Sequence, residues 1–233
     1  MGGRGSFSRS HGGVAKSSEG GGGLYVSEKA ETRPDIRKMF VDELGFKELY
    51  GTEALSTAQL GALGIELKRL EREFGVISSG DTYLSITTKP GVKGAAALMA
   101  DGSKVMFVNP ILHESVGSFR STLKSEQTSG FKTATDGKIT REYSYTVRHE
   151  YGHLAQYNMR SKNGGTSDAS MRSEITSIAR KKYGAKSDSP SRYGAKNDRE
   201  FYAESFASMT GGNPNAYGKA MADWYRGKKK RGA

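Results

Sequence analysis

The hydrophobic period of this chain changes twice, and that double change limits the possible folds more than any other feature. In STAQLGALGIELKRLEREFG, residues 56–75, apolar side chains recur at Leu60, Leu63, Leu67, Leu70 and Phe74, the spacing of one helix face. Ser56 and Gln59 supply a capping box at its start. Further on, DTYLSITTK alternates as a strand does, and AALMADGSKVMFVN divides into two short strands at Asp101-Gly102, a dipeptide suited to a tight hairpin turn. The helical period then returns to the end of the chain. It predicts helices at about 140–160, 171–183, 198–209 and 214–226, with Gly184 and Gly211 as stops. A shorter helix capped by Asp35 is expected in RPDIRKMFVDELGF. A small sheet followed by helices is an α+β arrangement.

At 233 residues the chain can bury one good-sized core. Residues 1–34 read as a flexible Gly/Ser-rich leader, because their first two dozen hold too few apolar side chains to offset the entropy of ordering. Residues 35–226 then form a single domain, and 227–233 a solvated basic tail. The polar stretch 114–137 is expected to be a long mobile loop. Thirty-six Lys and Arg against 25 Asp and Glu give a formal charge of +11, which favours weak, non-specific contact with polyanions. No window approaches the roughly 18 apolar residues of a membrane span, and no secretory h-region is evident. The expectation is a soluble protein made in a cytoplasm, with delivery by another machine, or carriage in a phage-like or toxin-like assembly, as its suggested setting. Cysteine is absent, so any bound metal must be held by imidazole and carboxylate.

Two of the four histidines stand four apart in TVRHEYGHLAQYNM, residues 146–159. On a helix, His149 and His153 lie nearly above one another and their rings can converge on one point. Glu150 projects about 100° round from His149, close enough to reach a water on the same ion without being a ligand. This pattern suits a zinc hydrolase, in which two neutral imidazoles anchor the metal and the carboxylate takes a proton from its water. With only four histidines, a chance match to the motif is expected on the order of once in a few hundred such chains. Gly152 leaves room for something to approach closely.

A catalytic zinc takes three protein ligands and keeps one position open, so one more is required. His113 in ILHES and Glu174 in MRSEITSIARK are candidates. Thermolysin-like enzymes place a carboxylate four residues after the ligand glutamate, whereas Ile178 stands there, and Glu174 reads rather as a first-turn helix charge. RYGAKNDREFYAESFASM answers better. Glu200 and Glu204 share one helix face, one for the metal and one to accept a hydrogen bond from a ligand imidazole. Phe201, Ala203, Phe206 and Ala207 would bury that segment, and buried carboxylates need a cation.

HEYGH followed by YGAKNDREFYAESF resembles the zincin peptidase domain of anthrax lethal factor and its toxin-like relatives, over about residues 140–210. The resemblance implies a zincin-like fold, with a small mixed sheet and hairpin edge ahead of the active-site helix and a helical part behind it. It further implies that His149, His153 and Glu200 bind Zn²⁺, that Glu150 is the general base, and that Glu204 orients a ligand histidine. Tyr193 would donate a hydrogen bond to the oxyanion or leaving group. YGAKSD at 183–188 nearly repeats YGAKND at 193–198, making Tyr183 a second candidate, although Tyr193 has the spacing to Glu200 that the family calls for.

The expected activity is that of a zinc metalloendopeptidase acting on a protein or peptide substrate. A strand of the 95–109 hairpin is expected at the sheet edge beside the active helix, where Ala95, Ala96 and Ala97 keep a groove open to an extended substrate. The competing reading is a non-catalytic basic binding or structural protein with a structural or vestigial zinc site. No nucleic-acid-binding motif is evident to support it.

Overall fold

The computed structural model describes residues 7–9, 15–17, 34–55, 57–78, 80–86, 94–109, 124–133, 144–162 and 166–231. The chain divides into two compact units, Met1–Ser115 and Val116–Ala233.

In the first unit, strands β1 (Phe7–Arg9) and β2 (Ala15–Ser17) pair antiparallel within the segment expected to be a flexible leader. Helix α1 (Pro34–Arg37) continues as a wider π-helical turn over Lys38–Glu43. Asp35 lies inside its first turn rather than at the cap, because the helix opens on Pro34, whose fixed φ suits that position. Gly45, at φ 84°, ends the segment with its amide on the Val41 carbonyl, and the next amide reaches back to Phe40. A side chain at Gly45 would also meet the Ser78 Cα at 3.0 Å.

Strand β3 (Glu48–Tyr50) leads through a 3₁₀ turn at Thr52–Ala54 into helix α2 (Thr57–Phe74). Leu60, Leu63, Leu67 and Leu70 are buried along one face of α2, as their spacing predicts. Ser56, half of the expected capping box, lies outside the described residues. At the far end the Glu71 carboxylate accepts the amides of Val76, Ile77 and Ser78 at 2.9–3.0 Å and fixes the turn that follows.

The sheet holds β3, β4 (Thr82–Ile86), β5 (Gly94–Leu98) and β6 (Lys104–Val108) in the order β3-β4-β6-β5. β4 runs parallel to both β3 and β6, and β5 pairs antiparallel at the edge. The β5–β6 hairpin turns at Asp101-Gly102: Gly102 takes φ 82° and Asp101 accepts the Ser103 amide at 3.0 Å. β4 does not expose one face as its alternating letters suggested. Every residue of β4 and β6 is buried, and both strands are central in the sheet.

The second unit is helical: α3 (Tyr145–Lys162), α4 (Asp168–Tyr183), α5 (Asp198–Thr210) and α6 (Ala216–Arg231). α3 packs on α5, α4 on α6, and α5 on α6. Tyr151 stacks on Phe206 between α3 and α5, and Tyr202 meets Trp224 edge-on between α5 and α6, all four side chains buried. Ser167 caps α4, and Gly184 closes it in the left-handed conformation at φ 65°. Two expectations are corrected here. Residues 124–128 form a helical turn inside the stretch read as a mobile loop, held by contacts described below. α6 continues to Arg231, so the basic run begins as helix, where cations suit the carboxyl end of the macrodipole. The architecture is thus mixed α+β with a small four-stranded mixed sheet. Among the described residues no helix is long and apolar enough to cross a membrane.

Candidate metal centre

The site lies entirely in the second unit, on the contact between α3 and α5. Gly152 is what lets the two helices meet so closely. A Cβ there would stand 3.1 Å from the Ala203 Cα and 3.1 Å from the Phe206 Cβ, so the close approach anticipated at this glycine is made by the backbone of α5. Asn197 starts α5 by accepting the amides of Arg199 and Glu200 at 3.0 and 2.9 Å, which sets Glu200 in the first turn and Glu204 one turn later on the same face.

The consequence is convergence. His149, His153 and Glu200 are all buried, and one ligand atom from each lies within 4.8 Å of the others. Glu200 Oε2 is 3.0 Å from His149 Nε2 and 3.6 Å from His153 Nε2, and the two rings stand edge to face with centroids 4.9 Å apart. This group could hold a metal ion.

Glu204 faces the other nitrogen, with Oε1 3.0 Å from His149 Nδ1. It is fully buried and gathers three more donors: the Thr133 amide at 2.9 Å, the Ser191 hydroxyl at 2.7 Å and the Tyr145 hydroxyl. Burial alone would raise the Glu204 carboxyl, but the hydrogen bond with His149 and those from Tyr145 and Ser191 hold it below its usual range. Glu200 behaves alike: against the upward push of burial, its hydrogen bonds to His149 and His153 keep it well below the ordinary carboxylate value.

His149 therefore has a carboxylate at each ring nitrogen. A neutral imidazole has one N–H and cannot satisfy both. Burial opposes a charge on this ring, yet the hydrogen bonds to Glu200 and Glu204 outweigh it and push its pKa up to about 10. The arrangement demands a cation at Nε2, either a proton or a metal ion. His153 differs, since its buried Nδ1 has no hydrogen-bond partner.

Glu150 is 6% exposed; burial pushes its carboxyl up, with His149 and His153 pulling the other way. The Tyr193 ring lies 5.7 Å from the His149 ring and 5.5 Å from that of Phe131. Burial, then the nearby charges of Glu200, Glu150 and Glu204, raise its phenol far above the usual value, so the hydroxyl stays protonated and able to donate. Tyr183 is elsewhere, donating to Asp223 at 2.6 Å.

Glu174 is also elsewhere. It accepts from the Trp224 indole at 2.9 Å and pairs with Lys228 at 3.1 Å. It is not a first-turn charge either: α4 begins at Asp168, which places Glu174 in the second turn. His113 and the tail histidine His11 lie outside the described residues.

Sequence reasoning missed the cage around Glu204. Tyr145 could have been found, since 145, 149 and 153 share one helix face. Thr133 carries no local signal, because its contribution is a backbone amide 71 residues from its acceptor. The chain matches no family model, no curated protein and no solved structure.

Proposed function

We propose that this chain is a zinc-dependent metalloendopeptidase of the zincin type, resembling the lethal-factor-like peptidases, that hydrolyses peptide bonds of a protein substrate. The observation that carries the reading is the meeting of His149, His153 and Glu200 beside a buried Glu150. Zinc fits the donor set. Ligands about 2.0–2.1 Å from a tetrahedral zinc stand roughly 3.3 Å from one another, and Glu200 Oε2 lies 3.0 and 3.6 Å from the two imidazole nitrogens. Two nitrogens and one carboxylate oxygen leave the fourth position for solvent, as a catalytic site needs.

His149 Nε2, His153 Nε2 and Glu200 would hold the ion, and Glu204 would fix His149 in the tautomer that binds it. When bound, zinc supplies Lewis acidity, bringing the pKa of its water toward about 7 and polarising the substrate carbonyl. Glu150 takes the proton of the attacking water and passes it to the leaving amine. The Tyr193 hydroxyl, kept protonated, donates to the developing oxyanion.

The test is metal analysis together with peptide-library cleavage for the wild type and Glu150→Gln. About one zinc is expected in each protein, with cleavage by the wild type alone. Equal cleavage by both would remove Glu150 from the mechanism, and no zinc in either would remove the enzyme.

A further inference from the structure

Beside the candidate centre two segments of the second unit are stitched together. The amides of Arg192 and Tyr193 donate to the carbonyls of Gly130 and Phe131 at 2.9 and 2.8 Å. The turn they belong to is braced from within. Ala195 donates to Ser191 at 3.1 Å, Lys196 to Tyr193 at 3.1 Å, and Gly194 to the Ser191 hydroxyl at 3.0 Å. Gly194 is packed so closely that a Cβ would meet Pro190 at 2.9 Å and Ser189 at 3.0 Å.

On this braced turn two exposed cations rest on aromatic faces. Lys196 Nζ lies 4.1 Å from the centre of the Tyr193 ring and 5.5 Å from that of Phe131, and the Arg192 guanidinium lies 5.9 Å from Phe131. Neither has a carboxylate partner among the described residues. Lys132, by contrast, is mostly buried and pairs with Glu126 at 3.2 Å. The aromatic seats fix where the two free charges sit, so less side-chain freedom is lost when an anion arrives.

Glu200 and Glu204 are buried against His149 and His153, and Glu150 is itself buried, whereas Arg192 and Lys196 face solvent. A substrate arriving from water meets the cations first. The ring separations put Lys196 Nζ within about 10 Å of the His149 ring, a span that roughly three residues of extended chain cover.

Resting on the peptidase reading above, we propose that Arg192 and Lys196 form a specificity rim and that the preferred substrate carries an aspartate or glutamate within about three residues of the scissile bond.

The test uses peptide libraries in which one position at a time is fixed as Glu, Gln or Lys, cleaved by the wild type and by the double variant R192E/K196E. Exposed charge contacts of this kind are each worth a factor of about two to five. Wild type should therefore favour Glu over Lys by about tenfold in kcat/KM at one or more flanking positions. The preference should shrink in 0.5 M salt and invert in the double variant, with zinc content unchanged. The same order of preference in both proteins, or a wild-type preference for Lys, would overturn the proposal. So would loss of single-stranded oligonucleotide binding in the variant with peptide preference unmoved, which would assign the rim to nucleic acid. Binding of the same peptides to zinc-loaded Glu150→Gln reads selectivity without catalysis. Absence of cleavage by the wild type would count against the peptidase, and absence of a Glu preference in this binding assay against the rim.

Discussion

Replacing Gly152 with alanine sets two known terms against each other. Alanine stabilises a helix interior over glycine by about 0.8–1.0 kcal/mol, so on an exposed face the change would be a gain. Here the new methyl would stand 3.1 Å from the Ala203 Cα and 3.1 Å from the Phe206 Cβ, with the Phe206 Cγ at 3.3 Å. Carbon atoms at rest lie about 3.5–4.0 Å apart, so α5 must withdraw by roughly half an ångström, and the Ala203 backbone cannot yield by rotating a side chain. Overpacking of this kind costs about 1–3 kcal/mol, which leaves a net loss of about 1 kcal/mol after the gain in helix propensity. The metal site should suffer as well. Glu200 lies one turn before Ala203, and its withdrawal lengthens the 3.0 and 3.6 Å separations from His149 and His153. Zinc affinity should fall about tenfold, equivalent to about 1.4 kcal/mol. Urea unfolding in the presence of a chelator measures the first effect, and competitive zinc titration the second. A variant more stable by about 1 kcal/mol with unchanged zinc affinity would refute the packing account.

Glu204→Gln places an amide where four donors converge and should weaken zinc binding by about 10–100-fold, read by competition with a chromogenic chelator. Tyr193→Phe should lower kcat about 10²–10³-fold with zinc content and unfolding midpoint unchanged. Tyr183→Phe should do the reverse, costing about 0.5–1.5 kcal/mol through the lost bond to Asp223 while leaving cleavage intact. Glu174→Gln should leave zinc stoichiometry at the wild-type value, because Glu174 is engaged by Trp224 and Lys228; loss of zinc would return it to the ligand set.

Much of the fold was legible because local periodicity carries it. The leucine face of α2, the Asp101-Gly102 hairpin and the four carboxyl-terminal helices all follow from repeats over fewer than about 20 residues, which is the range where hydrophobic pattern and turn chemistry act. What escaped depends on neighbours distant in sequence. β4 alternates in its letters but is buried throughout and central in the sheet, which no pattern within the strand itself carries. Residues 124–133 are polar and looked mobile, yet their backbone groups are taken up by Glu204 and by the turn at 192–193.

The sequence by itself determined the chemistry on offer: two imidazoles and a carboxylate on one helix, two carboxylates four apart on another, and no thiol to compete. Helical geometry fixes those relations within each segment. Only the tertiary structure decided which candidate acid meets the imidazoles and which tyrosine stands beside them. Those choices turn on the separation between helices, and here a glycine without a side chain lets α5 close on α3 and bring Glu200 and Glu204 to opposite nitrogens of His149.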